Sequence, residues 1–86
     1  RSALSAPRPN PARGAAVLTL TLAASEQVSV EVLDVLGRRV AVLRDGQLPA
    51  GDHMLTFQAG LLPAGPYVVR ALGETFRAAQ RVTVVD

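Results

Sequence analysis

The sequence predicts an all-β chain, an immunoglobulin-like antiparallel β-sandwich of about seven short strands, and three observations carry that reading. Val28, Val30 and Val32 alternate with Ser29 and Glu31, the period of two that marks a half-buried strand. Runs of this kind recur along the chain, separated by turns rich in Gly and Pro, as a sandwich of short strands requires. No segment carries apolar residues at i, i+3, i+4 and i+7, so no long helix is placed.

The elements follow in order. The first thirteen residues hold Pro7, Pro9 and Pro11, with Asn10 between the last two. Proline cannot donate to a ladder, so this stretch belongs at a sheet edge or in a linker. Residues 1–8 are therefore read as an extended linker or edge segment and residues 9–86 as the sandwich. From Ala16 to Leu22 the alternation is clean, with Leu18, Leu20 and Leu22 inward. Ala23 to Gln27 reads as a polar turn. A hairpin follows, its first arm centred on Val28–Val32. Asp34-Val35-Leu36-Gly37 is the turn: Asp34 can accept a bond from a backbone N–H ahead of it. Gly37 is free to take the positive φ that a type I turn with a G1 bulge requires.

The second arm is expected from Arg38 to about Leu43, broken by Asp45-Gly46. Leu48-Pro49-Ala50-Gly51 reads as a loop. In the next strand His53, Leu55 and Phe57 face inward and alternate with Met54 and Thr56. Leu61 to Gly65 is another loop, and Tyr67, Val69 and Ala71 begin the sixth strand. Gly73-Glu74 turns the chain into a last strand from about Thr75 to Val85. Leu18, Leu20, Val30, Val32, Leu55, Phe57, Tyr67 and Val82 are the expected core. The tetrapeptide Leu-Pro-Ala-Gly occurs at 48–51 and again at 62–65. Two copies fall short of a repeat architecture; the same turn solution is used twice.

Composition narrows the function classes. Eighty-six residues allow one domain, burying roughly 60–65% of the surface its unfolded chain would expose. The net charge is only +2 and every basic residue is Arg. There is no Cys, which removes disulfide scaffolds, zinc knuckles and thiol nucleophiles together. No apolar run reaches membrane-spanning length. The chain opens Arg1-Ser2-Ala3 without an initiator Met or an apolar leader, and is expected to be a module of a larger protein.

Catalytic chemistry finds little support. His53 is the single histidine, and on an inward face it reads as a packed, hydrogen-bonded side chain rather than a ligand. No Ser lies in a G-x-S-x-G elbow. Asp34, Asp45 and Asp52 could approach one another at loops, but their spacing matches no calcium loop, and turn capping is the simpler role. Arg38-Arg39 with Arg70, Arg77 and Arg81 could form a basic stripe. A single-strand nucleic-acid binder also needs aromatic platforms, and only Phe57, Tyr67 and Phe76 are aromatic.

These segments, in this order, resemble the C-terminal sorting domain of proteins exported by the type IX secretion system. Pro9-Asn10-Pro11 looks like that family's N-P lead-in to its first long strand. VEVLDVLGRRV, residues 30–40, resembles its V-x-V-Y-D-x-x-G-R-x-V hairpin. LPAGDHMLTF (48–57) and LPAGPYVVRAL (62–72) resemble its paired strands, and Arg81-Val82-Thr83-Val84-Val85 resembles its basic-then-apolar terminal strand. Leu33 stands where the family favours Tyr, Phe57 where Trp is common, and Pro66 where a β-branched residue is usual. A similar sandwich and D-x-x-G-R hairpin occur in flagellar hook-cap domains, so a structural or adhesive module is the alternative.

The resemblance implies a non-catalytic sorting signal at the end of a secreted cargo protein. Such a protein passes through the periplasm and outer membrane of a Gram-negative bacterium to the cell surface or the medium. The implied partners are the type IX translocon, a surface sortase-like peptidase that removes the domain or exchanges it for a lipopolysaccharide anchor, and the upstream cargo domain. No nucleic acid, membrane-spanning segment or cofactor is implied. Recognition would fall on Arg81, Val82, Thr83, Val84 and Val85, with Asp34, Gly37 and Arg38 forming the signature turn. An exposed terminal strand would offer its backbone for β-augmentation.

Overall fold

Alternating apolar side chains sort the strands into two facing layers. The computed structural model describes residues 1–86, with strands β1 (Ala3–Leu4), β2 (Ala16–Leu22), β3 (Glu26–Leu33), β4 (Arg39–Leu48), β5 (Gly51–Phe57), β6 (Gly65–Gly73) and β7 (Arg77–Val84). One antiparallel sheet has the order β1-β2-β5 and the other β4-β3-β6-β7. A single 3₁₀ turn, Ala59–Leu61, joins β5 to β6. The connections β2–β3, β4–β5 and β5–β6 each cross between the layers, the connectivity of an immunoglobulin-like sandwich.

The inner faces match the expected core. Leu18, Leu20, Val30, Val32, Leu55, Phe57, Tyr67 and Val82 are all buried, alongside Val28, Val69 and Val84. Tyr67 makes a tyrosine corner: its hydroxyl donates to the Pro63 carbonyl, four residues upstream, at 2.6 Å, which anchors the loop at the start of β6. Pro66 is harmless within β6. The β3–β6 ladder ends at Leu33 opposite Val68, so the missing N–H lies beyond the last β3 partner.

Leu48, Gly51 and Gly65, read as loop, belong to strands, and the last strand ends at Val84 rather than Val85; three further boundaries differ from the sequence reading. Asp45-Gly46 does not break β4. Gly46 takes φ 147° and stays paired with Val28, so the glycine bends the strand without ending it. Two register shifts, between Val30 and Glu31 and between Val32 and Leu33, leave Leu43 and Val40 as extra residues on β4, bulges that twist an edge strand. Ala23–Gln27 is not wholly turn, since β3 already begins at Glu26. The last strand starts at Arg77 rather than Thr75.

Glu26 accounts for the last two of these differences. It is only 4% exposed. Its Oε1 accepts the backbone N–H groups of Glu74 (2.6 Å) and Thr75 (2.9 Å), and its Oε2 accepts the Thr75 hydroxyl at 2.8 Å. One carboxylate thus fixes the β6–β7 turn, holding Thr75 out of the strand. The Thr75 N–H is the main cause of a pKa below the usual glutamate range, against the opposing cost of burial.

The proline-rich lead-in crosses from one sheet to the other. β1 pairs with β2, and Arg8 bridges Val17 on the same strand. Ala12 then forms a parallel bridge to Val84 of β7. Leu4 and Ala12 are buried, so this segment packs into the sandwich at both ends.

Candidate functional site

Asp34 builds the hairpin turn that begins the candidate site. Its Oδ1 accepts the backbone N–H groups of Leu36 and Arg38, both at 2.9 Å. Its Oδ2 accepts Arg38 Nε at 2.8 Å. The Asp34 N–H donates to the Arg38 carbonyl at 2.9 Å, and the Gly37 N–H donates to the Asp34 carbonyl at 3.0 Å. Gly37 has φ 80°, as the turn and bulge require. The Arg38 N–H, above all, holds the Asp34 carboxyl below the usual aspartate range; partial burial opposes it, and the Arg38 guanidinium adds to it.

The terminal strand lies two strands away in the same sheet. Arg81 and Thr83 are exposed and Val85 is half-buried, whereas Val82 and Val84 are 1% and 2% exposed and belong to the core. Val82 pairs with Tyr67, and Thr83 with Pro66. Pro66 and Tyr67 stand just beyond the β3 end from which the hairpin turn projects. The two segments singled out in the sequence, far apart along the chain, therefore meet at one end of the four-stranded sheet. A shallow depression of ≈ 290 Å³ lies between them, lined by Asp34 and Val35, by Pro66–Val68, and by Arg81–Thr83.

The terminal strand is not the bare edge that the sequence suggested. The Thr83 N–H donates to Asn10 Oδ1 at 3.0 Å, and Asn10 Nδ2 donates to the Arg81 carbonyl at 3.2 Å. The Ala12 N–H donates to the Thr83 carbonyl at 2.8 Å, and the Val85 N–H donates to the Ala12 carbonyl at 2.9 Å. Residues 10–12 thus occupy four outer backbone groups of residues 81–85: the Arg81 carbonyl, the Thr83 N–H and carbonyl, and the Val85 N–H. Nothing in the local sequence of β7 announces this, because the partner lies about seventy residues earlier.

On the outer face Glu31 is paired with two arginines. Glu31, predicted on the polar face with Ser29, is 8% exposed; it lies beneath Arg70 (Nη2 to Oε1, 2.8 Å) and Arg39 (Nη1 to Oε2, 3.1 Å). The Arg70 contact is the largest cause lowering its pKa, with burial opposing and Arg39 assisting. Arg70 is therefore not a free member of a basic stripe; Arg77 and Arg81 have no carboxylate partner.

His53 and Asp52 have structural partners. His53 Nε2 lies 2.7 Å from the Pro49 carbonyl, which places the ring proton on Nε2. Asp52 accepts the Thr21 hydroxyl at 2.8 Å. No group of three or more His, Cys, Asp or Glu side chains is placed to hold a metal ion.

A family model described as a secretion system C-terminal sorting domain matches residues 8–85. No curated protein matches the chain.

Proposed function

The chain belongs to the family of secretion system C-terminal sorting domains of the type IX system, and from that membership we propose that its recognition surface is the end of the four-stranded sheet where the Asp34–Arg38 turn meets β7. The family is a non-catalytic secretion signal, which sends its cargo across the outer membrane to the cell surface or beyond. A tag of this kind needs a fixed shape on display, not an active centre.

The observation that carries the proposal is the convergence of turn and terminal strand across Pro66–Val68 around one depression. Arg81 and Thr83 supply the side chains a partner reads. Val82 and Val84 hold the strand in register from below, and Asp34, Gly37 and Arg38 fix the turn beside it. The partners in this reading are the type IX translocon, then a surface sortase-like peptidase that removes the domain or exchanges it for a lipopolysaccharide anchor. The cargo domain lies upstream on the same chain.

The test is a reporter fused ahead of residues 1–86 in a host with the type IX translocon. Deleting β7 would unfold the domain, because Val82 and Val84 are core residues. Arg81→Glu with Thr83→Asp changes only exposed side chains, for which a stability shift of about 0.5 kcal/mol per site is usual. Loss of export at unchanged melting temperature supports the surface. Equal export by parent and double variant rejects it, and export from a host lacking the translocon rejects the sorting role.

A further inference from the structure

Seven large apolar side chains are exposed, and Val35, Leu36, Val40, Val42 and Leu61 form five of them, at 38–82% exposure. All five lie on the hairpin tip, the adjoining length of β4, or the 3₁₀ turn. Three depressions join four of them, Val35, Val40, Val42 and Leu61, into one strip. That of ≈ 290 Å³ shares Asp34, Val35, Pro66 and Tyr67 with one of ≈ 330 Å³, which in turn shares Val40 and Leu62 with one of ≈ 350 Å³ reaching Leu61.

Folding does not account for this strip. This turn uses Asp34 at its first position and a positive φ at Gly37 for the bulge that follows, while the central positions of a type I turn accept most residues. The Val35 and Leu36 side chains, on residues 73% and 72% exposed, are not what holds the turn, which rests on backbone N–H groups and Asp34. The bulged residue Val40 stands on an edge where charged side chains are the usual guard. A contiguous exposed apolar patch on a soluble domain marks an interaction site.

The polar surroundings set the chemistry of the occupant. The Arg38 side chain, which lines the middle depression, is 72% exposed, whereas the Asp34 carboxylate it covers is 14% exposed. Arg81, lining the first depression, adds a second guanidinium, one with no carboxylate partner. The strip therefore presents an apolar floor and an arginine rim with the Asp34 carboxylate tucked beneath, a composition typical of protein interfaces. A second copy would bring like-charged rims together. A membrane surface is a poorer fit, since the strip is concave and carries no exposed Trp, Tyr or Phe.

We infer that this strip docks a protein segment bearing apolar side chains flanked by carboxylates, and that it extends the sorting surface of the proposed function, on which this inference rests. The β-sandwich end thus reads its partner in two parts: Arg81 and Thr83 on one side of Pro66, and the apolar strip on the other.

The test titrates the isotopically labelled 86-residue protein with a short synthetic helical peptide, leucines on one face and glutamates beside them, followed by amide NMR. Saturable shifts are expected at Val35, Val40, Val42 and Leu61. Val35→Ser with Leu61→Ser should weaken binding about tenfold, as should replacing the glutamates of the peptide by glutamines. Arg77→Glu, at the far end of β7, should leave it unchanged. Shifts elsewhere, no saturation at millimolar peptide, equal binding of the glutamine peptide, or preferential binding to phosphatidylcholine–phosphatidylglycerol vesicles would each overturn the inference. In the reporter host, normal export of the folded Val35→Ser, Leu61→Ser variant would also overturn it. Translocon-independent export of the parent would instead reject the sorting role, leaving the peptide result to decide the surface.

Discussion

Asn10 is the side chain whose removal most directly tests how the terminal strand is held. In Asn10→Ala, Thr83 N–H loses its acceptor at 3.0 Å and the Arg81 carbonyl loses its donor at 3.2 Å. The two backbone bonds between Ala12 and residues 83 and 85 remain possible. A hydrogen bond contributes roughly 0.5–1.5 kcal/mol net, and these two are exposed to water, so the lower end applies and the pair is worth about 1 kcal/mol. In a domain of this size that should lower the melting temperature by about 4–8 °C. The local signature is sharper. Exchange of the Thr83 amide should accelerate by about fivefold beyond any change at a core amide such as Val69. Asn10→Asp keeps an acceptor for Thr83 but loses the donor to Arg81, and should fall between the two. Unchanged Thr83 exchange in Asn10→Ala would refute the capped edge and restore β7 as an open template.

Other consequences follow from the same geometry. Gly37→Val should cost about 1–2 kcal/mol in urea denaturation through backbone strain alone, because a Cβ at Gly37 meets nothing within 4 Å; Gly37→Asn should cost less. Leu55→Ala, at a site 1% exposed, should cost about 2–5 kcal/mol by loss of burial and a residual cavity, and an unmoved urea midpoint would contradict its place between the sheets. Glu26, Glu31 and Asp34 have lowered pKa values in the fold, so each binds a proton less readily folded than unfolded. Their stabilisation is complete above the ordinary carboxylate range and is lost as pH falls through the lowered values, with the midpoint dropping below about pH 4. Glu31→Gln should weaken the domain at neutral pH and flatten that acid limb; an unaltered pH profile would remove Glu31 from the account.

What the sequence determined by itself was everything written in short range. Strict alternation placed β2, the first arm of the hairpin and the inner face of β5, since a period of two leaves only one face for Leu18, Val30 or Leu55 to bury. Asp34 and Gly37 specified their turn because both the bonds and the φ involve residues within four positions. The family motifs were legible for the same reason. What only the tertiary structure decided were contacts between residues distant in the chain. Glu26 looks like part of a polar turn until the β6–β7 turn, nearly fifty residues on, supplies its donors. Glu31 sits on a polar face until Arg39 and Arg70 close over it. Gly46 looks like a strand breaker until pairing with Val28 shows that the ladder runs on. The capped edge of β7 and the joining of turn, strand and apolar strip at one end of the sandwich depend on sheet order, and sheet order is set by the packing of two layers rather than by any local pattern.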